Sequence, residues 1–178
     1  MDGLSMIFDE FIGITDISDC TLSRLRTAVR AVILEKNCIW MMRSKRGDYK
    51  FPGGGVKKGE TMHDALRREL AEETGFVLTD DIRMLGRIIE QRPDSVVPYA
   101  YFRMESLYFQ CTLTGERRVS NLTQKEQDWK LESVLIPIED AIMANNAEKE
   151  NTQAYSWVER ETLALTKVDE WLKSQQKC

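Results

Sequence analysis

Three glutamates that follow an arginine in one helical segment are the residues of this chain best suited to chemistry. The segment reads RRELAEET and holds Glu69, Glu72 and Glu73 directly after Arg68. An α-helix advances about 100° per residue, which places Glu69 and Glu73 on the apolar side of the helix and Glu72 at the edge of that side. A merely solvated acidic face would lie opposite the apolar side. We therefore expect these carboxylates to have a function beyond solubility.

The negative charges of this segment require a cation. Glu69 and Glu73 are one helical turn apart, so their charges repel, and they lie near the helix C-terminus, where the helix dipole disfavours negative charge. Arg68 can pair with Glu72, but one arginine does not neutralise three carboxylates. Carboxylate oxygens converging from one helix suit Mg²⁺ or Mn²⁺, which prefer oxygen ligands and keep waters that substrate phosphates can replace. The spacing predicts a divalent-metal site.

The loop before this helix has the composition of a phosphate-binding site. Its three consecutive glycines, residues 53–55, let the backbone approach a ligand closely, and Lys57 and Lys58 offer positive charge. Taken alone, such a sequence indicates an ordinary turn. Because it adjoins the carboxylate helix, we interpret Gly54, Gly55 and Lys57 as substrate contacts.

Residues 54–76 resemble the Nudix box, G-x5-E-x7-R-E-U-x-E-E-x-G-U, where U is a bulky apolar residue. Every fixed position is filled at the right spacing, by Gly54, Glu60, Arg68, Glu69, Leu70, Glu72, Glu73, Gly75 and Phe76. The resemblance extends more loosely to the strand pair before the box and to the C-terminal WVERETLALTKV. Residues 1–22 have no counterpart in it.

The resemblance implies an α/β/α sandwich around a mixed β-sheet and hydrolysis of a nucleoside diphosphate linked to another group. By position, it makes Glu69, Glu72 and Glu73 metal ligands, and Arg68 a residue that holds the carboxylates by hydrogen bonds. Glu60 would be the partner of Arg68 or an outer-shell metal ligand. In this chemistry the metal polarises phosphoryl oxygens and lowers the pKa of a bound water. A crowded carboxylate can then take the proton.

Two further residues outside the box are candidates for the site. The family often uses an additional acid from elsewhere in the chain, and Glu126 in NLTQKEQDW is our candidate, with Asp128 as the alternative. The competing interpretation of either acid is a solvated loop charge. Arg43 is a candidate phosphate contact that could instead only pair with an acid.

Two rival functions and several substrates remain open. A nucleotide-sensing module without catalysis would be favoured by lost box carboxylates, and none is lost. An isomerase of the related isoprenoid type would need a catalytic cysteine near the site, and Cys38 and Cys111 have no supporting motif. Candidate substrates are ADP-ribose or another nucleotide sugar, a damaged nucleoside triphosphate, and a dinucleoside polyphosphate. Pro93 lies near, but not clearly at, the offset typical of enzymes that cut ADP-ribose.

The elements predicted around the box suggest a single α/β domain. The strand predictions are 26–35, 38–44, 82–91, 99–113 and 129–137. The helix predictions are Met62–Thr74, capped by Thr61 and ended by Gly75, a short helix from Ile138, and a longer one over 156–174. Residues 45–55 are predicted to be a loop. Strands mixed with helices favour a sheet covered on both faces.

Composition excludes several classes of protein. The chain has 178 residues, a formal net charge of -4, four cysteines and one histidine. The acidic balance argues against general nucleic-acid binding, and no apolar run is long enough to span a membrane. The cysteines form no C-x-x-C pair. We expect a cytoplasmic enzyme whose partner is a small nucleotide.

The N-terminal extension, residues 1–22, is separate from the Nudix-like domain, residues 23–178. Its sequence MIFDEFIGITDI alternates apolar and acidic residues as a half-buried strand does. Such a strand must bury its apolar face, either against its own chain or against a partner. We predict that it contributes to a homodimer, the commonest soluble oligomer.

Overall fold

The computed structural model describes residues 6–151 and 157–176, which contain eight strands and four helices. The strands are β1 (Phe8–Gly13), β2 (Thr21–Val32), β3 (Leu34–Glu35), β4 (Cys38–Arg43), β5 (Tyr49–Lys50), β6 (Phe76–Pro93), β7 (Ala100–Arg117) and β8 (Glu132–Pro137). The helices are α1 (Met62–Thr74), α2 (Gln124–Asp128), α3 (Ile138–Lys149) and α4 (Val158–Gln175).

The strands form a mixed β-structure. In the first sheet, with strand order β1-β6-β7-β2, the long β6 and β7 pair antiparallel, while β1 joins β6 and β2 joins β7 in parallel. In the second sheet β4 pairs antiparallel with β3, β5 and β8. Parallel and antiparallel pairs occur together, as the resemblance implied.

Hydrophobic clusters cover both faces of the first sheet. Leu66 and Leu70 of α1 pack in one cluster with Phe109 of β7. The neighbouring Tyr108 belongs to the other cluster, with Leu165 of α4. Because successive strand residues point to opposite faces, α1 and α4 lie on opposite sides of the sheet. The predicted α/β/α arrangement is confirmed.

Helix α1 begins and ends where the sequence predicted. Thr61 Oγ1 accepts a hydrogen bond from the backbone N–H of Asp64 at 3.1 Å. Gly75 follows the last turn with φ 74°, and its N–H bonds to the carbonyl of Ala71 at 3.0 Å. This left-handed conformation costs glycine little. The local signals therefore fix both ends of the helix that carries the box.

Several predicted boundaries need correction. Strands β6 and β7 run to 76–93 and 100–117, well past the predicted 82–91 and 99–113. The predicted loop 45–55 contains β5, and Gly55 forms an isolated bridge with Ala28 of β2. The last strand begins at Glu132 rather than 129, because α2 and a turn with Lys130 at φ 51° occupy the preceding residues. The predicted start of the last helix, residue 156, lies outside the described residues.

The N-terminal strand packs on its own chain. Phe8 and Ile12 of β1 are buried in the cluster that includes α4, and β1 is hydrogen-bonded in register with β6. This is the alternative to a partner subunit, so the apolar face of β1 needs no second copy to cover it. The homodimer stays a prediction, which light scattering of the purified chain would test.

No helix within the described residues is long and apolar enough to cross a membrane. The cysteines for which the structure gives a state, Cys20, Cys38 and Cys111, are free thiols. The fourth, Cys178, lies outside the described residues.

Candidate active site

A cavity of about 960 Å³ opens beside the box. Box residues on its surface are Gly54, Gly55, Lys57, Arg68, Glu69 and Glu72. Strand β2, the turn between β6 and β7, α2 and the start of α4 supply the other sides. The structure thus brings most of the predicted site residues together around one cavity.

Arg68 organises the carboxylates of the box. Its guanidinium bonds Glu60 at 2.7 and 2.9 Å, Glu69 at 2.6 Å, Glu72 at 3.3 Å and the carbonyl of Gly55 at 3.1 Å. Charge-assisted bonds from a rigid guanidinium fix direction as well as distance. Glu60 and Arg68 are thus in contact, and the role of Arg68 in the reaction stays a prediction.

Glu60 is held in its ionised form. Hydrogen bonds from Arg68, and then the backbone N–H of Lys57, lower the pKa of Glu60 to about 2. The same bond to Glu60 raises the pKa of Arg68 further above its usual value. Glu60 also accepts a hydrogen bond from the backbone N–H of Lys57 at 3.0 Å. Through this bond and its bonds to Arg68, Glu60 links the glycine loop to α1.

Gly54 is a glycine because Glu69 lies against it. A Cβ placed on Gly54 would lie 2.3 Å from Oε2 of Glu69 and 2.5 Å from its Cδ. Any side chain at this position would displace the carboxylate from the loop. The box glycine therefore makes room for a carboxylate, which is a more specific role than the close ligand approach predicted from sequence.

Glu73 lies behind the cavity surface, where the protein itself occupies both carboxylate oxygens. Oε1 accepts from Nζ of Lys50 at 2.6 Å and Oε2 from the backbone N–H of Gly53 at 2.7 Å. Burial raises the pKa of the Glu73 carboxyl, against the opposing effects of Lys50 and Gly53. Lys50 lines the cavity, whereas Glu73 does not.

The box carboxylates fit a divalent cation in part. Glu69 and Glu72 offer hard oxygen atoms on the cavity surface, the donor type that Mg²⁺ and Mn²⁺ prefer. Across residues 6–151 and 157–176, however, no three acidic, histidine or cysteine side chains converge as a ready-made metal cluster. Glu73 would have to exchange Lys50 for the cation before it could be a third ligand.

Strand β2 supplies a basic wall of the cavity whose acidic wall is formed by Glu69 and Glu72. Arg24, Arg26 and Arg30 lie two or four residues apart, so they share one face of the strand, and all three line the cavity. Sequence reasoning missed Arg24 and Arg26, although the alternation in RLRTAVR was the signal. It also missed Lys50, for which the loop sequence gives no signal.

A buried ionic network supports the base of the cavity. Arg160 at the start of α4 bonds Glu90 of β6 at 2.8 Å and Glu161 at 2.9 Å. Glu161 also accepts from the backbone N–H of Phe51 at 3.0 Å, and Arg30 donates to the carbonyl of Gly53 at 2.5 Å. Burial alone would disfavour an ionised Glu161, but Arg30 and Arg160 hold its pKa below the usual value. This network fixes α4 against the glycine loop.

Of the two candidate acids outside the box, Glu126 reaches the cavity. Its Oε2 accepts from the N–H and hydroxyl of Thr123 at 2.8 and 2.7 Å in a capping box of α2. Asp128 is exposed, accepts from the side chain of Gln124 at 3.0 Å, and is not part of the cavity surface.

The remaining candidates lie elsewhere. Arg43 is outside the cavity lining and pairs with Glu132 of β8, with 2.8 Å from its Nε to Oε1. This is the acid-pairing role that was its alternative. Neither Cys38 nor Cys111 lines the cavity, and burial raises the pKa of the Cys111 thiol to about 12. Because the thiolate is the reactive form of cysteine, such a thiol does not support the isomerase hypothesis.

Comparison with known proteins agrees with this geometry. The family model of the NUDIX domain matches residues 24–160. A solved ADP compounds hydrolase is 26% identical, with a TM-score of 0.51, over 86% of this chain and 76% of its own. The MutT NUDIX hydrolase from Burkholderia pseudomallei is 24% identical, with a TM-score of 0.49, over 65% of this chain and 85% of its own. The chain belongs to the Nudix family and is a Nudix hydrolase.

Proposed function

We propose that this enzyme is a metal-dependent pyrophosphohydrolase that cleaves a phosphoanhydride bond in a nucleotide. Its substrate is a nucleoside diphosphate linked to another moiety or a nucleoside triphosphate. The observation that carries the proposal is the pairing of charges in one cavity: Glu69 and Glu72 line it together with the arginines of β2. Such a cavity can hold a cation on one side and phosphate oxygens on the other.

The residues of the chain have distinct roles in this reaction. Glu69 and Glu72 would hold the cation, and Glu73 would join them only if Lys50 released it, while Arg68 and Glu60 keep the carboxylates in place. The bound Mg²⁺ or Mn²⁺ supplies Lewis acidity, which makes a water more acidic and the phosphorus more open to attack.

Substrate contacts and proton transfer complete the assignment. Gly54, Gly55 and Lys57 border the reacting phosphates from the loop. Glu126 takes a proton from the attacking water, because it lines the cavity and its Oε1 has no hydrogen bond within the described residues.

The comparisons support the nucleotide class of substrate. The ADP compounds hydrolase named above acts, by its name, on compounds of ADP, and its likeness to this chain extends over most of both proteins. The alternative of a sensing module without catalysis would be favoured by the loss of a box carboxylate. All five charged residues at the fixed positions of the box, Glu60, Arg68, Glu69, Glu72 and Glu73, are present.

A substrate panel tests the proposal directly. Purified enzyme with Mg²⁺ would be incubated with ADP-ribose, other nucleotide sugars, nucleoside triphosphates and dinucleoside polyphosphates, and nucleoside monophosphate or phosphate release measured. We expect release from at least one class and none in excess chelator. Full turnover in chelator would refute the metal mechanism. Binding of nucleotides without any release would favour the sensing module.

A further inference from the structure

The cavity is lined by more basic side chains than carboxylates pair with. Nine basic and five acidic side chains line it, although the whole chain has a net charge of -4. Five of the basic residues have a carboxylate within ion-pair distance, namely Arg30, Lys50, Arg68, Arg92 and Arg160. In the described part of the chain the other four have none: Arg24, Arg26, Lys57 and Lys125.

Two of these four cations, Arg26 and Arg24, form a line along strand β2. A Cβ on Gly55 would lie 3.3 Å from a terminal guanidinium nitrogen of Arg26, so Arg26 adjoins the loop that contacts Glu69. Arg24 is two residues away on the same face of β2, about 7 Å along the strand. Its guanidinium lies over the ring of Phe102, 4.7 Å from the ring centre. The line therefore runs along the cavity lining from the glycine loop, beside Arg26, to the aromatic ring of Phe102, beside Arg24.

The protein compensates the charge of this line only in part. Burial, and then repulsion from Arg30, Arg160 and Arg24, lower the pKa of Arg26 against the opposing effect of Glu69. Like charges gathered without a carboxylate partner raise the energy of the unliganded enzyme. An anion that enters the cavity would relieve this repulsion and accept directed hydrogen bonds from the guanidinium groups.

We infer that Arg24 and Arg26 bind the phosphates beyond the scissile anhydride of a substrate that contains three or more linked phosphates. This inference rests on the proposed function, since it extends the same cavity. A nucleotide sugar has only the two phosphates of its diphosphate, and they would be occupied at the acidic wall and glycine loop. A nucleoside triphosphate and a dinucleoside polyphosphate both supply the additional anions.

Binding of inorganic phosphates tests the inference without any turnover. Calorimetric titration in the presence of chelator would compare pyrophosphate with tripolyphosphate for the wild type, for R24Q, for R26Q and for the double variant. We expect the wild type to bind tripolyphosphate at least about tenfold more tightly than pyrophosphate, and the double variant to lose most of that preference. Each single variant should lose part of it. A preference that survives both substitutions would overturn the inference, as would a wild type without one.

A matched arginine controls for total charge. Arg83 is exposed on β6, pairs with Asp81 at 3.0 Å and is outside the cavity lining, so R83Q removes one positive charge far from the line. We expect R83Q to keep the wild-type preference. If R83Q lowers it as much as R26Q does, the effect is one of net charge and the inference is wrong.

Hydrolysis tests the inference on whole nucleotides that differ in their number of phosphates. Values of kcat/KM would be measured for ADP-ribose, ATP and diadenosine tetraphosphate. We expect the loss in the double variant to be at least about tenfold larger on the two longer chains than on ADP-ribose. Equal losses on all three would overturn the inference. If none is hydrolysed by the wild type, the proposed function fails for these substrates, while the calorimetric comparison still decides the role of the two arginines.

Discussion

The two walls of the cavity differ in how the protein treats their charges. On the acidic wall, Arg68 bonds both Glu69 and Glu72 and is itself fixed by Glu60. On the basic wall, Arg24 and Arg26 have no carboxylate within ion-pair distance among the described residues, and the Arg24 guanidinium lies over the ring of Phe102. The acidic wall is therefore ordered before anything binds, whereas the outer part of the basic wall is left for a ligand to neutralise.

This difference indicates which interactions set geometry and which set affinity. A paired carboxylate keeps its position at little cost in entropy when a cation binds, as preorganised sites do. An unpaired arginine contributes its charge to the ligand instead. Changes on the acidic wall should therefore reduce kcat, and changes on the outer basic wall should mainly change binding.

The largest effect is expected from breaking the acidic wall at its centre. Glu69→Gln removes a negative charge from the cation site with almost no change in volume, and it also weakens the bond to Arg68. We expect kcat to fall about 1,000-fold or more and metal affinity to fall with it. Steady-state kinetics and a metal titration would measure both. A variant with near wild-type kcat would move the ligand role to another residue, and Glu116→Gln, at an exposed position of β7, is the control.

A second change tests the part of the box that faces away from the cavity. Glu73→Gln leaves Lys50 buried with a neutral partner, since the exposed fractions of the two side chains are 1% and 8%. We expect the free energy of unfolding to fall by roughly 3 kcal/mol, because an uncompensated buried charge is costly. Turnover should fall by orders of magnitude, because Gly53 and the glycine loop also depend on Glu73.

The double variant Lys50→Met/Glu73→Gln gives the control for that change. It removes the unpaired ammonium, so urea unfolding should show most of the lost stability restored. If the stability losses of the two single variants simply add, the pair is not coupled. A metal titration of Glu73→Gln then separates the roles: unchanged affinity would mean that Glu73 positions the loop and is not a ligand.

The residues that sequence reasoning found are those whose signals are local. The box spacing, the Thr61 cap and the Gly75 end all lie within one helical segment, and each agrees with the structure. The burial of Glu73 followed from the same helical period. Its partner Lys50 did not, because that contact joins residues 23 positions apart through a loop without periodicity.

Contacts between distant strands were less predictable for a related reason. The pairing of β2 with β7 places Arg24 opposite Phe102, and such register depends on the whole sheet. Likewise, the sequence predicted a strand near Phe8 and favoured a second copy as its cover. The pairing of β1 with β6 on the same chain depends on contacts between residues far apart in sequence.

A smaller effect is expected from the acid that approaches the cavity from α2. Glu126→Gln keeps the size of the side chain but removes a proton acceptor, so kcat should fall about 100-fold while the metal requirement stays. Asp128→Asn is the matched control, because Asp128 is two residues away and outside the cavity lining. If Asp128→Asn abolishes activity and Glu126→Gln does not, the assignment is wrong by two residues. If neither matters, the box alone carries catalysis.

The smallest effect on the acidic wall should come from its outermost support, Glu60. Glu60→Gln weakens two bonds to Arg68, and we expect about a tenfold loss in activity, typical of residues that orient ligands without touching substrate.

The contact between Glu60 and Arg68 also predicts how the stability of the fold depends on pH. Because the folded-state pKa of Glu60 is lowered from 4.5 to about 2, its ionised form stabilises the fold above pH 4.5. That stability is lost as the pH falls from 4.5 towards 2.

Unfolding curves across this pH range would therefore separate the wild type from the variant. At pH 6 the wild type should be the more stable of the two, and the difference should shrink as protonation makes Glu60 resemble glutamine. Glu116→Gln should instead run parallel to the wild type, since its side chain is exposed at the end of β7. Parallel curves for Glu60→Gln as well would show that the bond to Arg68 does not hold the Glu60 carboxylate in its charged form. The acidic wall would then lack the internal pairing that distinguishes it from the basic one.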